Sequence, residues 1–226
     1  MHFFLKTLLK YYSLSLFYNM LYFIPTPIGN KEDIILRSLR LLKELKYLFC
    51  EDTRTTMKLL QMYDIDFSEK QLSSLTSFTD QSKMNHYLNI LKEHDVGVVS
   101  EAGTPGLSDP GKNLIQLCNQ HWLTYTALPG ANALVPAVVW SGFDTSSFSF
   151  FWFLPQKKGR QTALKNAITS ETPVFFYESV HRVEKLFCEL EELWFTGKIS
   201  ISRELSKMYE QQITWTLNEI QEMIKK

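Results

Sequence analysis

From Met20 onward, short apolar β-prone runs alternate with helix-patterned segments, and no other feature narrows the fold of this chain so far. LYFIP is followed by a helical pattern through IILRSLRLLKEL, YLFC by one through TMKLLQMY, SLTSF by one through MNHYLNILKEH, and VGVVS by one through GKNLIQLCNQ, before TYTALPG closes the series. Strands that each return through a helix predict a mostly parallel sheet, and the apolar character of the runs predicts helices on both of its faces. The expected class is α/β.

A second region follows ANALVPAVVWSG, whose small and apolar residues predict a buried helix ending at Gly142. It holds the aromatic run FSFFWFLP, the polar stretch QKKGRQTALKNA, the strand PVFFYES, a helix through HRVEKLFCELEELW, and KISISREL. A first domain over 21–132 and a second over 145–226 are expected. Residues 1–20 stand apart: they are aromatic-rich, carry only the charges Lys6 and Lys10, and lack Gly, Pro and Asp. Those lysines leave no apolar stretch of the ~20 residues a transmembrane helix needs, and no A-x-A cleavage site precedes Met20. This segment is expected to be an extension outside the folded body.

With 226 residues and 45% hydrophobic composition, the chain can bury one large core or two smaller ones. Lys+Arg and Asp+Glu both number 24, so a uniformly basic nucleic-acid coat is excluded, while a local basic patch is not. Cys50, Cys118 and Cys188 are far apart, without C-x-x-C spacing, so neither a disulfide framework nor a zinc site is indicated, and a cytoplasmic location is expected.

The unusual residues fall in four places: TPIGN (Thr26–Asn30), EDTR (Glu51–Arg54), EAGTPGLSDPG (Glu101–Gly111) and PGAN (Pro129–Asn132), each after an expected strand. In an open parallel sheet the carboxyl ends of the strands share one edge, where ligands bind. Gly103 and Gly106 permit close backbone approach to a ligand, and Pro105 and Pro110 stiffen the loop. No G-x-x-x-x-G-K-[ST] or G-x-G-x-x-G occurs, so the usual signatures of ATP hydrolysis and dinucleotide binding are missing.

TPIGN, EDTR, AGTP with SDPG, LPG, FLPxKKG and FYESxHR, in this order and spacing over about residues 21–217, resemble the tetrapyrrole (corrin/porphyrin) methylase superfamily. Within it they are similar to the 2′-O-ribose methyltransferases that act on a cytidine in the decoding region of 16S rRNA. The resemblance implies a two-domain homodimer with a smaller, mixed-sheet second domain, binding S-adenosylmethionine between its domains. It assigns cofactor contacts to Pro27, Ile28 and Gly29, to Ala102, Gly103, Thr104 and Pro105, and to Leu128, Pro129 and Gly130.

Methyl transfer to a ribose hydroxyl chiefly requires in-line positioning, with a general base to take the proton. Asp52, Glu101 and Glu178 are the catalytic candidates, with His181 a further one; Asp52 and Glu51 have helix capping as their alternative role, and His181 a place on the surface. Lys157, Lys158 and Arg160 form the densest basic stretch, and with Arg54 and Arg182 they are the candidate RNA phosphate contacts in the small ribosomal subunit. The alternatives are a corrin or porphyrin methylase, or a ribosome-binding relative that does not methylate.

The chain departs from the family pattern at Phe151 and Trp152, where a Glu-Gly pair is usual, at Glu101 in place of Asp, and at Thr214–Thr216 in place of Arg-Gly-Thr. It stops where the family usually continues into a last apolar strand, so the second domain is expected to lack that strand.

Overall fold

A computed structural model describes residues 19–75, 81–107 and 109–224; the extension expected over the first twenty residues lies almost wholly outside the described part. The chain divides into two compact units, one up to Asn132 and the other from Ala133.

The first unit is built on five parallel strands: β1 (Met20–Phe23), β2 (Tyr47–Cys50), β3 (Gln71–Ser74), β4 (Val96–Val99) and β5 (Thr124–Ala127), in the order β3-β2-β4-β1-β5. Central β4 is buried at all four positions, whereas edge strand β5 alternates between half-buried and exposed, as one- or two-sided covering dictates. Four helices join the strands: α1 (Leu36–Glu44), α2 (Thr53–Met62), α3 (Gln81–Glu93) and α4 (Gly111–His121).

Alternate strand residues feed two separate cores. Leu21, Phe23, Phe49 and Val98 pack with Tyr87, Leu88 and Leu91 of α3 and Leu114, Leu117 and Cys118 of α4. Ile24, Leu48, Cys50 and Val99 pack with Leu41 and Leu42 of α1 and Leu60 of α2. The sheet is therefore covered on both faces. Burial pushes the thiols of Cys50 and Cys118 up to about 11. At β3 the sequence expectation needs correction. The strand is Gln71–Ser74, three residues ahead of the apolar SLTSF run, because pairing with all four residues of β2 fixes its register as Tyr47↔Gln71 to Cys50↔Ser74.

The second unit holds a parallel pair, β6 (Ser149–Phe153) with β7 (Val174–Tyr177), and an antiparallel pair, β8 (Lys198–Arg203) with β9 (Gln211–Thr216). Its helices are α5 (Leu134–Ser141), α6 (Arg160–Ile168), α7 (Val183–Glu192) and α8 (Leu217–Ile224). Leu154, Leu164, Leu186, Phe187, Leu190, Leu217 and Ile220 form its core. Helix α5 ends against left-handed Gly142, but it is not the buried helix its composition predicts: Val135 and Val139, one turn apart, are exposed in the single chain. Among the described residues no helix is long and apolar enough to cross a membrane.

Candidate functional site

The loops that leave the carboxyl ends of the first unit's strands are tied to one another, chiefly by main-chain groups. The Thr26 N–H donates to the Gly103 carbonyl (2.9 Å) and the Gly103 N–H to the Thr26 carbonyl (3.0 Å), joining the loop after β1 to the loop after β4. Gly103 holds φ +81°, a conformation that side chains with a Cβ adopt at a cost, and the Ile28 side chain lies beside it. The Thr104 hydroxyl donates to the Ala131 carbonyl (3.2 Å), bringing in the loop after β5. The Glu101 N–H donates to the Glu51 carboxylate (3.3 Å), bringing in the loop after β2. Gly130 lies so close to the ring of Pro25 that a Cβ there would sit 2.5 Å from the proline Cβ.

Asp109 holds the long glycine- and proline-rich loop together from inside. Its carboxylate accepts the N–H groups of Gly106 (2.8 Å) and Gly111 (2.7 Å). Burial raises its proton affinity, and these two donors act against that rise. The signal in sequence was the D-P-G turn ahead of a helix, but not which N–H groups the aspartate would reach. Where the loops after β1 and β4 meet, the buried Thr26 hydroxyl oxygen has no hydrogen-bond partner among the described residues. A buried polar atom left unpaired costs free energy. A ligand group at this edge would relieve it. The edge thus offers closely spaced backbone and one unpaired hydroxyl, and this fits a small polar cofactor such as the S-adenosylmethionine implied by the resemblance.

The three acidic candidates are held in different ways. Asp52 caps α2: its carboxylate accepts the N–H groups of Arg54 (2.7 Å) and Thr55 (3.4 Å) and pairs with the Arg54 guanidinium (2.8 Å). The Arg54 side chain and these N–H groups hold it down at about 2, so it is a weak proton acceptor, and the capping alternative describes what it does. Glu101 is exposed and enters the loop network through its main chain. Glu51, like Asp109, has its proton affinity raised at this edge, by partial burial and by the nearby charges of Glu101 and Asp109, against the Glu101 N–H. Sequence reasoning read Glu51 only as a possible cap, since no spacing rule reveals a neighbour fifty residues away.

Glu178 belongs to an ion network of the second unit. Its side chain is 6% exposed; one carboxylate oxygen meets Arg160 (2.9 Å) and the other meets Arg182 (2.6 Å) and the Ser179 N–H (2.8 Å). Burial alone would raise its pKa, but the Ser179 N–H and the two guanidiniums outweigh it and leave the group below the ordinary glutamate range. Arg160, 3% exposed, also binds the Glu189 carboxylate (2.8 Å) and keeps Nη2 without a partner among the described residues. The expectation that Arg160 contacts phosphate is therefore corrected: its guanidinium is enclosed between two internal carboxylates. Lys157 and Lys158 are exposed, as is His181. Arg54, although paired, keeps 82% of its side chain exposed, and Arg182 keeps 25%.

The network has a pH signature. Because Glu178 is more acidic folded than unfolded, its contribution is complete above its unfolded value near 4.5 and is lost as the pH falls through the lower folded value. Four of the five tryptophans, Trp140, Trp152, Trp194 and Trp215, lie in the second unit. Urea midpoints read by tryptophan emission are expected to stay level from neutral pH to about 5 and to drop below about 4.5. The Glu178→Gln variant is expected to show a shallower drop, and an unchanged profile would remove Glu178 from the account.

A doubly covered parallel sheet with its carboxyl-edge loops fastened together defines an α/β protein of the class whose ligands bind at that edge. The family model for Tetrapyrrole (Corrin/Porphyrin) Methylases matches residues 20–221. The chain belongs to this family of methyltransferases. Ribosomal RNA small subunit methyltransferase I of Hydrogenobaculum sp. (strain Y04AAS1) is 37% identical over 208 residues, 91% of this chain and 89% of the relative. The protein of the same name from Halalkalibacterium halodurans is 38% identical over 204 residues, 88% of this chain and 68% of the relative. Among solved structures, cobalt precorrin-4 methyltransferase superposes with a TM-score of 0.59 at 12% identity, covering 91% of this chain and 89% of its own; this likeness concerns the fold.

Proposed function

We propose that this chain is an S-adenosylmethionine-dependent methyltransferase that modifies the 2′-hydroxyl of a cytidine ribose in the decoding region of 16S rRNA, acting in the cytoplasm as a homodimer. The observation that carries the reading is the identity, 37% over nearly the full length of both chains, to a protein named for methylating small-subunit ribosomal RNA. The corrin and porphyrin enzymes that share the fold are far more distant in sequence.

When bound, S-adenosylmethionine supplies a methyl group on a positively charged sulfur. Pro27, Ile28 and Gly29, Ala102 to Pro105, and Leu128 to Gly130 are the residues proposed to hold it, mainly through backbone. Because the leaving group is a neutral thioether, the main demand on the protein is alignment of the ribose oxygen with the methyl carbon. Glu51, whose proton affinity is raised, is proposed to take the ribose proton in place of Asp52. Lys157 and Lys158 are proposed to hold phosphates. Val139, exposed on α5, is proposed to be covered by a second copy.

The direct test incubates the protein with labelled S-adenosylmethionine and small ribosomal subunits lacking the modification, then maps the labelled nucleotide. Label on a cytidine 2′-oxygen is the expected result. Label on a base, or none while an active relative labels the same subunits, overturns the proposal.

A further inference from the structure

We infer that the aromatic strand β6, with the two lysines beyond it, is a stacking platform for unpaired nucleotides of the RNA substrate. The inference rests on the RNA reading above and names the part of the chain that meets bases.

Strand β6 pairs only with β7 among the described residues. Phe151 stands opposite Phe176 and Phe153 opposite Tyr177, so Trp152 is an extra residue with no partner across the ladder. Such a bulge bends the strand and re-aims its side chains. Phe151, Trp152 and Phe153 are consequently all exposed, at 46%, 38% and 47%, on a stretch that a flat strand would divide between two faces.

Two of the three exposed rings, Trp152 and Phe153, are held in place by other rings. Tyr177 contacts Phe150, Trp152 and Phe153 at centroid distances of 5.4, 4.9 and 5.8 Å, in edge-on or tilted geometry. Rings fixed before binding lose little freedom when a base settles on them. Buried Leu154 anchors the end of the strand, and Lys157 and Lys158 are exposed again just beyond it. Seven residues from Phe151 to Lys158 span at most about 25 Å, so rings and ammonium groups lie within reach of one short run of nucleotides.

Unpaired RNA presents both complementary groups, flat base faces for the rings and phosphates for the lysines. A second copy of this chain, with zero net charge, would cover the rings but has no excess of negative charge to draw the lysines. Charge complementarity favours the polyanion.

The test measures anisotropy of a fluorescein-labelled single-stranded oligouridylate of about 12 nucleotides, and of the same label on a duplex RNA, with the full chain. Phe151→Ala and Trp152→Ala are each expected to weaken single-strand binding about tenfold, with Trp152→Phe staying close to the parent and duplex binding little changed. Replacing Lys157 and Lys158 with alanine is expected to flatten the plot of log affinity against log salt by about 0.7 per lysine. Thermal unfolding and S-adenosylmethionine binding check that each variant is folded. If the parent binds and methylates RNA while Phe151→Ala and Trp152→Ala, both folded, do so equally well, the platform is refuted and the enzyme reading stands. Light scattering that shows these variants splitting a dimer without losing RNA assigns the face to a second copy, and also refutes the platform. A parent chain that neither binds nor methylates RNA removes the enzyme reading, and the platform with it.

Discussion

Replacing Arg160 with alanine is expected to destabilise the second unit by about 3–5 kcal/mol, because it leaves two buried carboxylates without their shared cation. Glu178 and Glu189 are only 6% and 9% exposed at their side chains, and the guanidinium reaches both at 2.8–2.9 Å. Water cannot replace it cheaply. Since a domain's whole stability is commonly ~5–15 kcal/mol, such a loss is enough to leave the unit partly unfolded at body temperature. Arg160→Lys should rescue little, because one ammonium group cannot reproduce a planar fork that serves two carboxylates. The triple change of Arg160 to Met with Glu178 and Glu189 both to Gln is expected to recover part of the loss, since removing all the charges also removes their desolvation. Urea titrations followed by tryptophan emission measure this. A single-variant loss below about 1 kcal/mol would show that the network is peripheral to stability.

The second large effect is expected at Gly130, on methyl transfer. An alanine there would place its Cβ 2.5 Å from Cβ and 2.7 Å from Cγ of Pro25, atoms of a rigid ring that cannot swing aside. The loop after β5 must move away from the loop after β1. A displacement near 1 Å in a positioning loop commonly costs about 100-fold in rate, and Gly130→Ala is expected to lose at least that in single-turnover methylation. Gly103→Ala supplies the contrast. A Cβ there meets nothing closer than 3.6 Å, so the cost is mainly that of holding φ +81°, roughly 1–2 kcal/mol. S-adenosylmethionine affinity by calorimetry, beside the rates, separates the two variants. A Gly130→Ala protein with near-parental affinity and rate would mean that the loops are not a shared binding edge.

Much of the first unit was legible because each of its signals is local. Val96–Val99 reads as a buried strand from its own residues, and the Gly and Pro content after it reads as a loop without knowledge of any neighbour. What escaped the sequence depends on partners remote in the chain. KKGR looks like one basic run, yet Arg160 turns inward to Glu178 and Glu189, eighteen and twenty-nine residues on, while Lys157 and Lys158 stay outside. The enclosure of Glu178 by Arg160 escaped for the same reason. The bulge at Trp152 is a matter of register between two strands, and register is not written in either strand alone. The end of α4 was legible to within one residue of GKNLIQLCNQ, although Trp122 closes it in the left-handed conformation where Gly or Asn is the usual choice.

The paired main-chain bonds between Thr26 and Gly103 bear on how the first unit breathes in deuterated water. Each residue donates to the carbonyl of the other, so one opening event bares both amides, and neither exchanges while the pair is closed. Their exchange therefore measures one quantity from two sites, the free energy of parting the loops that follow β1 and β4. In this respect the edge behaves as a latch with two reporters, one on each leaf.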